Sequence, residues 1–506
     1  MELSNILLNA YEKWGERPYI FSRLSGSFIS KSFGDIVIDT LALSEALLGM
    51  GLKGKKIIVY GENSYEWMVA DLAIMGFVGV AVAINKEWGS YDLENTLNYM
   101  DISAIIYSGA KTQVINEIRH RHSSLIYIPM QPGFPGLLAN KPNDVMPLKN
   151  LAAGGTDKTC KIIFTSGTTS EPKAVMLSQK NIFAGWNSLY RRAALGPTDI
   201  CYLFLPLSHT YGGIFNFLYS LIGGWQIYLC SDNSKIAEEL KIVKPTIFSG
   251  VPLIYENFYT AINGKHSTKL KTLLAISNPL RKIGIDARKV FFKSAHNFFG
   301  GNIKYMFSGG AYFKTNIRKF YKDIGFNMME AYALSETASS LSIEYSNCPG
   351  LKSAGTIFED IEVQIINKDE NGHGEIIVKG DCVTSGYYAG ASPESFDSSG
   401  FFHTGDIGYK DNKNNLYLTG RKKRVLIGPN GENIYPDEIS GLIMKNPGVS
   451  RVKVYLAGGR LAATVYLADE KIDLDSIIKK VNGLLPPFKH ILVYKKELEA
   501  NFTRLK

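Results

Sequence analysis

The chain has 506 residues, 45% of them hydrophobic and 20% charged, and its 56 Lys or Arg exceed its 47 Asp or Glu to give a net charge of +9. That length has room for about two to four domains and a large core. The mild positive balance suits anionic small molecules or an acidic membrane surface, and no basic run interleaved with aromatics argues for nucleic acid.

The five cysteines, Cys160, Cys201, Cys230, Cys348 and Cys382, form no CxxC pair. An odd, scattered set is expected to be reduced and buried in a cytoplasmic protein. The opening MELSNILLNAYEKW carries acids and lacks the apolar run of a signal peptide. MVADLAIMGFVGVAVAIN (68–85) is interrupted by Asp71 and two glycines and is too short to span a bilayer, so it predicts a buried helix leading into a buried strand.

Short β-rich runs then alternate with helical stretches. KKIIVYGEN (55–63), VGVAVAIN (78–85), SAIIYSG (103–109), SLIYIP (124–129) and TCKIIFTSG (159–167) read as strands, and WQIYLC (225–230), TIFSG (246–250) and KYMFSGG (304–310) continue the series. Alternation of this kind predicts α/β layers, with ligands bound outside the C-terminal edges of the strands. From about residue 350 the pattern changes. EVQIINKDENGHGEIIVKG (362–380) predicts a β-hairpin turning at NGHG, and LYLTGRKK (416–423) closes that unit. Beyond it, NIYPDEISGLIMKNPGV predicts a turn and helix, RVKVYLA and LAATVYLA two strands, and LDSIIKKVNGLL a helix. The expected organisation is a large N-terminal domain, 1–420, of α/β sheets with a β-rich part, and a small α+β domain, 421–506.

FTSGTTSEPKA (164–174) carries the chemistry. An apolar strand precedes it and a helix-compatible MLSQKNIFAGW follows. Gly167 lets backbone approach a ligand, and Thr165, Ser166, Thr168, Thr169 and Ser170 add hydroxyls beside turn amides that hold anions. Lys173 adds a cation for phosphate. The loop is not a Walker loop, because Pro172 precedes Lys173 and Ala174 follows it.

With LPLSHTYGG (205–213), SGGAYF (308–313), EAYALSETAS (330–339), FFHTGDIGY (401–409) and LTGRKKRVLIGPNGENIYPDEIS (418–440), this loop resembles the ordered motifs of the adenylate-forming superfamily, nearest to long-chain acyl-CoA synthetases. The resemblance runs from about residue 10 to 500. It implies a large domain of flanking sheets with a small mobile C-terminal lid, and a ligase using ATP, Mg²⁺ and coenzyme A. A carboxylic acid, expected to be a medium- or long-chain fatty acid, would form acyl-AMP with release of pyrophosphate, and a thiol would then displace AMP. A carrier-protein phosphopantetheine is the alternative acceptor, and a nucleotide-binding protein without turnover is the alternative from another class. Peripheral membrane contact and a monomer or homodimer fit the same family.

The resemblance also implies roles. Thr165 to Lys173 would hold the β- and γ-phosphates. Gly309, Gly310 and Ala311, with Glu330 and Ala331, would line the nucleotide and acyl pockets, and Tyr332 would stack on adenine. Ser335 would touch the α-phosphate, and Glu336, with Thr165, would hold Mg²⁺. Asp406 would accept from the ribose hydroxyls, and Arg421 would contact ribose or phosphate. His209 lies beside the expected substrate carboxylate or is a core histidine. Tyr211 lines the acyl entrance or packs, and Gly212 and Ala333 join the substrate wall. Lys423 falls at the hinge, Gly431 and Glu432 on the thioester-forming lid surface, and Lys422 and Arg424 read as solvated lid charges. The chain departs from the family at Ser170 and Glu171, at Ala333 and Ser335, and in its tail, where the family's adenylation lysine falls on Leu505 or, one residue on, Lys506. The Phe-rich 289–307 stretch lines an apolar tunnel or builds core.

Overall fold

The computed structural model describes residues 1–142, 144–145, 155–165, 173–264, 267–345, 353–422, 426–427, 433–457, 460–485 and 489–498. Within these, the apolar runs read as strands lie side by side. One sheet has the order Ile126–Met130, Ile102–Ser108, Lys56–Tyr60, Val80–Ile84, Thr159–Thr165, Lys173–Ser178, parallel except for its last pair. Both faces are covered, which is why its strands are almost continuously hydrophobic. In the Lys56–Tyr60 strand, Ile57 and Val59 enter the main core while Ile58 and Tyr60 enter another on the opposite face.

A second sheet has nine strands among the described residues. At its centre Gln226–Leu229, Ile200–Leu203, Ile247–Gly250, Tyr305–Ser308 and Met328–Tyr332 run parallel. Tyr305 and Phe307 face the main core and Met306 faces a second, aromatic one. Phe292 and Phe299 belong to that second core, with Phe299 edge-on to Phe248 and Phe258. The Phe-rich 289–307 stretch therefore builds core there.

The predicted hairpin is Ile361–Ile366 with Gly374–Gly380, extended by Phe402–Lys410 and Leu416–Arg421 into an antiparallel sheet. Its turn is closed by Asp369, whose carboxylate accepts from the backbone N–H of Asn371 and His373, with Gly372 at φ +78. The C-terminal strands Val449–Ala457 and Arg460–Leu467 pair antiparallel, and Val493–Leu498 adds in parallel. Helices Pro436–Met444 and Leu474–Asn482 pack on them around a separate core that includes Ile439, Val465 and Ile478.

Two readings change. The loop after Thr165 does not lead into a helix. It returns as the antiparallel strand Lys173–Ser178, and the helix Gln179–Ala184 starts only where Ser178 and Asn181 form a capping box. The 68–85 stretch is the expected buried helix leading into a strand, but the helix starts earlier, Tyr65–Ala73, and is continued by a π-helical turn, Ile74–Val78, before the strand Val80–Ile84. Its Asp71 is fully buried against Lys161, whose Nζ lies 2.5 Å from both carboxylate oxygens. Cys160, Cys201 and Cys382 are buried free thiols, and burial pushes all three up in pKa. Cys348 lies outside the described residues.

Candidate active site

The parallel strands of the nine-stranded sheet end at one edge, and the predicted site segments leave from it. Leu203 leads to Pro206–His209, Ser308 to Gly309–Ala311, and Tyr332 to Ser335–Glu336. Each connection is locally determined. A Cβ at Gly212 would sit 2.2 Å from the Pro206 carbonyl oxygen and one at Gly213 2.4 Å from that of Leu207, so only glycine lets the chain fold back here. Asn63 holds the same turn from the other sheet, donating to the Leu205 carbonyl and accepting from the Leu207 N–H. Tyr211 packs on Phe215 and donates to the Phe307 carbonyl at 2.9 Å, which ties this segment to the neighbouring strand. His209 is half-buried, and desolvation lowers its pKa, so its imidazole is neutral near pH 7.

Gly310 sits at φ +84 just beyond its strand, and a Cβ on Gly309 would approach the Ala331 carbonyl oxygen to 3.1 Å. Gly309 and Ala331 therefore form adjoining walls, with Gly310 and Ala311 exposed beside them. After Tyr332 and the half-buried Ala333, a short 3-10 turn, Ser335–Thr337, is closed by the Thr337 hydroxyl accepting from the Leu334 N–H. Ala338 and Ser339 follow at φ 47 and 63. Two successive non-glycine residues in the left-handed region cost of order 1–3 kcal/mol each, and such strain clusters at ligand sites.

Tyr387 joins the two halves of the site. Its hydroxyl donates to Glu336 Oε1 at 2.8 Å, and the Lys173 Nζ stands 4.9 Å from the centre of its ring. Thr384 braces the same place: its N–H donates to the Glu336 carbonyl at 2.7 Å and its hydroxyl donates to that of Met176. Thr165 and Lys173 are cross-strand partners, and the Thr165 hydroxyl reaches the Lys173 carbonyl at 3.5 Å. Lys173 and Glu336, 163 residues apart in sequence, thus share one aromatic side chain.

Asp406 closes the other side. It is 5% exposed, and Arg421, its cross-strand partner, places Nε 2.5 Å from Oδ1. Tyr332 donates its hydroxyl to Oδ2. The turn is set by Gly405 at φ +69 and by Thr404, whose hydroxyl accepts from the Asp406 N–H. Burial pushes the Asp406 carboxyl up in pKa, Arg421 pulls it down, and the nearby negative charge of Glu336 raises it again. Glu336 and Asp406 therefore lie within electrostatic reach of each other.

The structure adds contacts to three of these residues. Tyr332 is 7% exposed, packs within the main core and donates its hydroxyl to Asp406. The Glu330 carboxylate is paired with Arg318, beside buried Glu344, so its side chain belongs to an ion network rather than to a nucleotide pocket. Lys422 is not merely solvated: its Nζ lies 2.7 Å from buried Glu375. Ser166, Gly167, Thr168, Thr169, Ser170, Lys423, Arg424, Gly431, Glu432, Leu505 and Lys506 lie outside the described residues.

The sequence profile of AMP-binding enzymes matches residues 9–388, about three quarters of the chain. The chain belongs to the AMP-binding enzyme family. Its motifs are thereby those of the adenylate-forming superfamily. This AMP-binding enzyme is similar to a fatty acyl-CoA synthetase A of Dictyostelium discoideum, at 23% identity over 483 residues covering 87% of the chain and 72% of the relative. It is similar to the peroxisomal long chain acyl-CoA synthetase 7 of Arabidopsis thaliana, at 24% over 500 residues, with 90% and 71% covered. Its fold matches ATP-bound MatB from Rhodopseudomonas palustris with a TM-score of 0.77 at 21% identity, covering 98% and 95% of the two chains. No helix among the described residues of the AMP-binding enzyme is long and apolar enough to cross a membrane.

Tyr387, Thr384 and Asn63 were not singled out from the sequence. Tyr387 had one weak signal, the aromatic pair after Gly386 in SGYYAG, just beyond the strand Gly374–Gly380.

Proposed function

We propose that this enzyme is an acid–thiol ligase that activates a medium- or long-chain fatty acid as its adenylate and passes the acyl group to coenzyme A. The observation that carries the reading is the Lys173–Tyr387–Glu336 bridge beside the Asp406–Arg421 pair, which gathers cation, hard oxygen and hydroxyl acceptor from the ends of three different sheets.

In the first step a substrate carboxylate oxygen bonds to the α-phosphorus of ATP, and the bond from that phosphorus to the bridging oxygen breaks, releasing pyrophosphate. Lys173 faces the departing phosphates with a charge that bonds worth about 1.5–3 kcal/mol each can exploit. Asp406 accepts from the ribose hydroxyls, its carboxylate oriented by Tyr332 and Arg421. Glu336 fits a Mg²⁺ ligand: Oε1 is fixed by Tyr387, and Oε2 has no hydrogen bond among the described residues. Mg²⁺ prefers such hard oxygens and, if bound there, would supply positive charge to neutralise the substrate phosphates. Ser335 adjoins it, and neutral His209 can donate to the substrate carboxylate without adding charge. In the second step the thiol sulfur attacks the acyl carbon and AMP leaves with the electron pair of the cleaved C–O bond. A division at 420/421, with the C-terminal part acting as a lid, belongs to the same proposal.

A panel of carboxylic acids from C2 to C18, with aryl acids beside them, tests the reading by AMP release with and without coenzyme A. Thiol-dependent release with fatty acids is expected. Release confined to aryl or very short acids would reject the substrate class, and no release with any acid would reject the ligase.

A further inference from the structure

The positive charge of this chain is concentrated in one stretch of its sequence. Residues 265–293 contain eight Lys or Arg and one acid, Asp286, so they carry seven of the nine net charges and leave the rest of the chain almost neutral. The one acid is internally neutralised. The Arg288 side chain donates to it from Nε to Oδ1 at 2.8 Å and from a terminal nitrogen to Oδ2 at 2.6 Å, and its backbone N–H donates to Oδ1 at 3.2 Å, which holds the pKa down at about 2. Arg281, Lys289 and Lys293 are exposed and form no ion pair among the described residues.

Apolar side chains protrude from the same stretch. The helix Ser267–Lys282 ends in a Schellman turn: the Ile285 N–H donates to the Leu280 carbonyl and the Gly284 N–H to that of Arg281, with Gly284 at φ +87. In that motif the residue after the glycine usually folds back on the helix. Here it does not. Ile283 is 72% exposed, Ile285 53%, and Val290, in the next short helix, 76%. Meanwhile Phe292, two residues on, is 1% exposed, so the segment is anchored in the core directly behind its projecting tip. The enzyme therefore presents two isoleucines on a tight, hydrogen-bonded turn, flanked by cations that form no ion pair among the described residues. A soluble surface gains nothing by exposing them, whereas the boundary of a lipid bilayer accepts apolar side chains below the headgroups and cations among them.

We propose that the 281–293 turn docks the enzyme on anionic lipid surfaces, with Ile283 and Ile285 entering the acyl boundary and Arg281, Lys289 and Lys293 lying among the phosphates. The occupant follows from charge complementarity, since the patch is basic and its one acid is quenched. The inference concerns a surface outside the candidate active site and stands whatever acid the enzyme activates.

The test is co-sedimentation of the full chain with sucrose-loaded vesicles of phosphatidylcholine alone or mixed equally with phosphatidylglycerol. Binding to the mixed vesicles, weakened by added salt, and little binding to the neutral ones are expected. Ile283→Ser with Ile285→Ser should lower the partition coefficient about tenfold per side chain. Arg281→Ala with Lys289→Ala should lower it about thirtyfold in all. The exposed pair Lys471→Ala with Lys480→Ala, elsewhere in the chain, should leave it unchanged. These surface variants should keep wild-type AMP release with a water-soluble acid and no vesicles. Equal binding to both vesicle types, or wild-type partitioning by either 281–293 variant, would overturn the proposal. So would indifference to vesicles combined with a dimer that the isoleucine variant abolishes, which would assign the tip to a second copy of the chain.

Discussion

Replacing Tyr387 by Phe removes one hydroxyl and little else, because the ring is 4% exposed and held in place. What is lost is the 2.8 Å hydrogen bond to Glu336 Oε1. A bond to a charged acceptor is worth about 1.5–3 kcal/mol. Glu336 is only half-buried, so water compensates in part, and the low end of about 1.5 kcal/mol applies. That loss corresponds to about a tenfold drop in the adenylation rate. Because the proposed function of the bond is to hold a Mg²⁺ ligand, the drop should shrink as Mg²⁺ is raised. Tyr387→Leu also removes the ring beneath Lys173, a cation–π contact worth about 0.5–2 kcal/mol, and should cost a further few-fold that Mg²⁺ does not restore. The assay is carboxylate-dependent exchange of pyrophosphate into ATP, with circular dichroism to confirm the fold. Wild-type exchange and Mg²⁺ dependence in Tyr387→Phe would refute the reasoning.

Asp71→Ala strands Lys161 as an unpaired cation in the core and should destabilise the enzyme by about 3–5 kcal/mol in urea unfolding, while Asp71→Asn combined with Lys161→Met should recover most of that loss. Asp406→Ala should weaken ATP binding about tenfold or more by calorimetry without loss of fold, since its partner Arg421 is 44% exposed and can be solvated. Burial, reinforced by Glu344 and opposed by Arg318, pushes the Glu330 carboxyl up to about 7. From the ordinary glutamate value of about 4.3 up to about 7 the folded state therefore binds more protons than the unfolded one, so this group's contribution to stability falls as pH rises through that window. Urea midpoints measured across the window should show that slope in the wild type and a flatter one in Glu330→Gln.

The strands were legible because both faces of each sheet are covered. Ile57 to Tyr60 alternate between two cores, so every position is apolar and the run stands out. The hairpin at 362–380 was legible for the opposite reason, because turn residues punctuate it. The strand Lys173–Ser178 was not, since KAVMLS runs without a break into residues that also suit a helix, and only pairing with Thr159–Thr165 decides the matter. In the site, Lys173, Glu336 and Asp406 were found through their motifs. Tyr387 escaped because its importance lies in what stands on either side of it in space. The contacts of Tyr332 and Glu330 were hidden for a related reason: a motif identifies a position, but burial and an Arg318 contributed by another element decide what the side chain touches.

The central claim is that Lys173, Glu336 and Asp406 meet on a single ATP molecule. A crystal structure of the enzyme with a non-hydrolysable ATP analogue and Mg²⁺ tests it most directly. The account predicts ribose hydroxyls on Asp406, the metal at Glu336 and the terminal phosphates at Lys173. A nucleotide bound away from any one of the three would contradict it.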